Sequence, residues 1–161
     1  MLKNSSAPSS NLPDSNNFYD YDNIANGIRI KYPATWLKSE NPNEKSIVCF
    51  FPPDRYNKNR VDIAIIDVTD NEKLNISGEE TTLSNNPATK EIIFVDNSLD
   101  PDSILYWIFL PFLDHTTSKI LQIKTIKDNK LYIITYFSKN AENYDNYIDI
   151  VNEMINSFTI Y

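Results

Sequence analysis

The chain has 161 residues, with 15 basic and 22 acidic side chains, a net charge of −7 and only two glycines. That length fits one domain with a tail, and 41% hydrophobic with 23% charged residues excludes both a wholly disordered chain and a membrane-spanning one. The acidic balance argues against a nucleic-acid or anionic-membrane footprint, and the scarcity of Gly, Cys and His leaves no Gly-rich phosphate loop, intrachain disulfide or Cys/His zinc cluster.

Residues 1–17 are almost all Ser, Asn, Pro and Asp. Such a stretch buries too little apolar area to offset its ordering entropy, so a disordered tail is expected ahead of a domain over 18–161. No apolar signal core follows Met1, and a polar tail of this kind fits a trimmed extracytoplasmic protein or one tethered through a removed segment. Residues 27–32 alternate apolar and polar and predict a half-buried strand that Pro33 ends, with Trp36 on a short turn. Residues 46–51 predict a second strand, stopped by Pro52 and Pro53. The basic run 55–60 reads as a solvated loop or as a contact patch for an acidic partner. Residues 61–68 predict a third strand, with Val61, Ile63 and Ile65 on one face and Ala64, Ile66 and Val68 on the other. Residues 71–80 are polar and read as a short helix or loop; 90–95 predict a fourth strand.

Residues 119–138 form the clearest unit. Two apolar-rich runs flank Asp128 and Asn129, residue types that tolerate the positive φ of a tight hairpin turn. Pairing across that turn sets Ile126 opposite Leu131, Thr125 opposite Tyr132, Ile123 opposite Ile134 and Leu121 opposite Tyr136. The other face carries Ile120, Ile126, Leu131, Ile133 and Phe137, so both faces of the sheet should be covered. Over 140–158, Tyr144, Tyr147, Ile148, Val151, Met154, Ile155 and Phe158 recur in steps of three and four, predicting one amphipathic helix. The fold class expected is α+β: an α/β/α sandwich with a mainly antiparallel sheet of about six strands and a C-terminal helix.

Phe18 and Tyr21, then the run Gly27, Ile28, Ile30, Tyr32, Pro33 and Trp36, resemble the opening of the PsbP-like family. The closing pattern is similar to that family too, with Tyr132, Ile134 and Tyr136 followed by the helical stripe and Ser157-Phe158. Residues 83–88 resemble the family's Gly-x-Pro-Ala turn with Asn85 in place of Gly, a residue that accepts left-handed backbone better than most. The resemblance covers about residues 18–161. It implies the sandwich shared by PsbP, Mog-like and DcrB-like proteins, whose members are mostly non-catalytic. It places Tyr32 and Trp36 in the core and transfers no metal or catalytic site.

The chemistry-bearing side chains are few. His115 stands in a polar run beside Asp114 and Ser118, but adjacency in sequence builds neither a triad nor an oxyanion hole. Cys49, among apolar residues, reads as an inert buried thiol. Asp96, Asp100 and Asp102 follow the rhythm of a calcium loop but lack its glycine and its Glu at the twelfth place, and helix capping explains them as well. Asp67, Asp70 and Glu72 are a similar loose acidic group. No cofactor is implied.

The unusual feature is residues 104–113, ten without a charge, too short for a bilayer-spanning helix of about 20 residues. They either close the open side of the sandwich or dock a partner, a second copy or a lipid interface. Tyr106, Trp107, Phe109 and Phe112 are the interface-anchoring types. The function expected is a non-catalytic accessory protein that docks a protein partner; the alternatives are a chaperone-like groove for apolar client segments, a hydrolase using His115, or a calcium-binding module.

Overall fold

In the computed structural model, residues 17–53, 58–68, 77–96 and 117–161 are described. The hairpin around Asp128 and Asn129 is the centre of the sheet. Strand β8 (Thr117–Lys127) pairs antiparallel with β9 (Lys130–Ser138), and Ile126↔Leu131, Thr125↔Tyr132, Ile123↔Ile134 and Leu121↔Tyr136 are all partners, as the sequence predicts. Asp128 and Asn129 have φ of 50° and 59°, the left-handed pair that a two-residue turn between twisted strands requires.

Five further strands extend this hairpin. They are β3 (Leu37–Glu40), β4 (Val48–Phe51), β5 (Asn59–Asp67), β6 (Glu79–Leu83) and β7 (Asn86–Asp96), and the seven-stranded order is β3-β4-β5-β9-β8-β7-β6. Every neighbouring pair in it is antiparallel. A three-stranded sheet of β1 (Phe18–Asn23), β2 (Ile28–Pro33) and β10 (Thr159–Ile160) forms a second layer. The predicted strands are present with shifted ends, and Pro33 closes β2.

Two expectations change. Glu79 and Glu80 belong to strand β6, not to a polar loop; Thr81, Thr82 and Leu83 carry the β-branched and apolar character that the acidic pair hides. The single helix becomes two pieces: a 3-10 stretch over Ala141–Asn146, then α1 (Ile148–Ser157). Tyr147, with φ −123° and ψ −4°, breaks the α ladder between them. The periodicity survives the break because both pieces bury the same stripe: Tyr144, Val151, Met154, Ile155 and Phe158 are buried and Tyr147 and Ile148 pack against them.

The core lies between the seven-stranded sheet and the layer made by β1, β2, β10 and α1. Tyr21 and Tyr32 reach Phe50 of β4 with ring centroids 5.6 and 4.8 Å apart. Trp36 is buried and stands edge-on to Tyr147 at 5.8 Å. Both pieces of the C-terminal helical segment sit on this inner side. The result is an α+β sandwich; a helix on the outer face is not among the described elements.

Candidate functional site

Register alone assigns the outer face. Residues paired across strands share a face, so β7, β8, β9 and β5 present cross-strand rows there. One row is Ile93, Ile120, Phe137 and Arg60. The next is Glu91, Gln122, Thr135 and Asp62, and the next Thr89, Lys124, Ile133 and Ala64. The far row holds Ile126, Leu131 and Ile66. Polar rows thus lie between two apolar ones. Two concavities open here, about 550 Å³ beside Arg60 and Asp62 and about 530 Å³ beside Thr89 and Lys124.

The polar rows are partly self-satisfied. Arg60 Nε donates to Asp62 Oδ2 at 2.8 Å, and its guanidinium lies 5.0 Å from the Phe137 ring centre. Arg60, the last residue of the basic run, is therefore held against its own strand; residues 54–57 lie outside the described residues. Gln122 Nε2 donates to Thr135 Oγ1 at 3.4 Å. Cys49 is fully buried beside Asp62, and burial, then the Asp62 charge, push its thiol up to about 12. A thiol so protonated is no nucleophile near neutrality. The hydroxyl of Thr89 is buried with no hydrogen-bond partner, and the Lys124 ammonium meets Glu91 only at 3.7 Å.

Most of the sequence candidates belong to the connection that follows the opposite end of β7 in the chain. Asp96 and Thr117 are register partners, so the connection 97–116 leaves and re-enters the sheet at one point. Tyr106, Trp107, Phe109, Phe112, Asp100, Asp102 and His115 belong to it and lie outside the described residues; Asp70 and Glu72, between β5 and β6, lie outside them too. At its root, Ile92 is 48%, Phe94 63% and Val95 41% exposed, an apolar knot on both faces of one strand end. Asp96 is exposed at the end of β7 and Asp67 at the end of β5. Among the described residues no three His, Cys, Asp or Glu side chains gather to hold a metal. No described helix is long and apolar enough to cross a membrane.

Sequence reasoning missed the row of Glu80, Thr89 and Lys124. Reading 71–80 as a loop removed Glu80 from the sheet. The alternation of Glu80, Thr82 against Thr81, Leu83 was the available signal.

No family model matches the chain, and no curated protein matches it in sequence. Solved structures share its fold. The Saccharomyces cerevisiae Ran-binding protein Mog1p is 9% identical, with a TM-score of 0.54 over 89% of this chain and 95% of that one. A protein from Bacteroides thetaiotaomicron is 12% identical with a TM-score of 0.56, covering 84% of this chain but only 45% of that longer one. The cyanobacterial PsbP of Synechocystis is 12% identical, with a TM-score of 0.48 and 98% of both chains covered. The chain is thus an α+β sandwich protein. It shares that fold with Mog1p over most of both chains.

Proposed function

We propose that the protein is a non-catalytic accessory protein that docks a protein partner through residues 104–113, with Tyr106, Trp107, Phe109 and Phe112 as anchors. The observation that supports this reading is the exposed knot of Ile92, Phe94 and Val95 at the end of β7, just before the connection whose sequence contains that uncharged run. Clustered exposed apolar side chains of this kind mark interaction sites more often than single scattered ones do. The sandwich fold, shared with a Ran-binding protein, supports a binding role in kind without naming a partner.

The test uses the two tryptophans. Trp36 is buried, so Trp36→Phe leaves Trp107 as the only indole. Red-shifted, readily quenched emission from that variant supports docking. Blue, quencher-resistant emission overturns it, because side chains buried in the monomer cannot anchor a partner.

A further inference from the structure

We propose that the concavity at the Asn86 end of β7 binds a neutral peptide segment bearing an apolar side chain. It is a second contact surface, at the other end of the strand from Asp96 and built without residues 104–113.

Glu80, Thr89 and Lys124 form one cross-strand row: Glu80 pairs with Thr89 and Thr89 with Lys124. All three line the cavity of about 530 Å³, whose other walls include Pro87, Ala88 and Ile126. That volume lies within the range of small-ligand sites. The row runs acceptor, hydroxyl, donor. Glu80 supplies carboxylate oxygens, and Lys124 supplies ammonium protons that its 3.7 Å contact with Glu91 is too long to hydrogen-bond. Between them the Thr89 hydroxyl is buried without a partner, a condition that buried polar groups rarely keep. Pro87 and the exposed Ile126 give the row an apolar flank.

Charge decides the class of ligand. Lys124 is opposed by Glu91 and by Glu80, so the local sum is negative and a carboxylate or phosphate is repelled. A cation would find Glu80 but would meet Lys124 one strand beyond Thr89. An amide carries no net charge and has both an acceptor and a donor. Its carbonyl accepts from Lys124, its N–H donates to Glu80, and an aliphatic side chain covers Ile126 and Pro87.

The experiment titrates the whole chain with N-acetyl-leucine-N′-methylamide and follows amide and methyl NMR signals. Saturable shifts confined to Thr89, Lys124, Ile126 and their neighbours are expected. Glu80→Met and Lys124→Met should each weaken binding about fivefold, the worth of one hydrogen bond, while the pair Trp107→Ala and Phe109→Ala leaves it unchanged. Non-saturating shifts overturn the proposal, as does binding that ignores both row variants. Tighter binding of N-acetyl-leucine carboxylate or inorganic phosphate makes this an anion site and overturns it. A concentration-dependent dimer dissolved by Ile126→Lys makes a second copy the occupant, with the same consequence.

Discussion

Ser84 Oγ accepts the backbone N–H of Ile160 at 2.8 Å, joining residues 76 positions apart. Ser84 is the first residue of the β6–β7 turn, with φ 51°, and Asn85 the second, with φ 60°. Ile160 belongs to β10, the short strand that completes the small sheet. From the tip of the other hairpin, Lys127 Nζ donates to Ile160 O at 3.2 Å and Tyr161 O at 3.1 Å. Two hairpin ends of the large sheet thus hold the last strand of the small one.

Ser84→Ala should lower unfolding free energy by about 1 kcal/mol, since it leaves a part-buried N–H without its acceptor. Urea denaturation measures the loss. Hydrogen exchange should speed up at Ile160 more than at Ile134, which the substitution does not touch.

The β8–β9 turn should tolerate Asn129→Gly and reject Asn129→Val. A β-branched residue held in the left-handed region costs roughly 1–2 kcal/mol, which glycine avoids. Thermal unfolding of the two variants side by side checks the order. A further limit is set at Gly78, where φ is 138° and an added Cβ would lie 2.7 Å from the Lys90 carbonyl oxygen.

Tyr136→Phe should cost roughly 1–2 kcal/mol. The Tyr136 hydroxyl donates to Tyr144 O at 3.1 Å and reaches Asn59 Oδ1 at 3.4 Å, while Ser138 Oγ donates to Asn59 Oδ1 at 2.9 Å. Asn59, Tyr136 and Ser138 are all buried, so removing the hydroxyl leaves the Tyr144 carbonyl with only the longer 3.4 Å bond from the Tyr147 N–H. Denaturant unfolding gives the magnitude, and faster exchange over 141–147 should accompany it.

Stability should fall on the alkaline side. Burial raises the Cys49 thiol from 9.0 to about 12, and burial raises the Tyr136 phenol as well. The folded state holds these protons more tightly than the unfolded chain does. The contribution of Cys49 is complete below pH 9 and is lost as pH rises toward 12, with a limiting slope of ~1.4 kcal/mol per pH unit for one such group. Cys49→Ala should flatten the urea midpoint against pH just above 9, where the thiol titrates in the unfolded chain. A thiol reagent at pH 8 should label the native protein only as fast as it unfolds.

Asp22 should titrate below the ordinary carboxylate range. Arg29 Nη2 and Nε donate to its Oδ2 at 2.6 and 3.2 Å, and the Tyr161 hydroxyl donates to Oδ1 at 2.8 Å. The Arg29 hydrogen bond is the larger cause and the Tyr161 hydroxyl the second. A lowered folded pKa means this contact is intact above the ordinary value of 3.8 and fades as pH falls through the folded one. NMR titration of Arg29→Ala should show the Asp22 midpoint moving upward.

What the sequence determined by itself was local. A period of two placed side chains on faces, and a two-residue turn at Asp128 and Asn129 set the register of β8 on β9, because turn length leaves one pairing. The stripe from Tyr144 to Phe158 reached the core even though Tyr147 divides it into two helices, since burial follows side-chain spacing rather than helix type. Tertiary structure alone decided which strands are neighbours. The placing of β10 beside β2, and of Thr89 beside Lys124, rests on contacts between residues distant in the chain. A strand's alternation is the same whichever partner it meets, so no local pattern encodes those rows; the shared core chooses them.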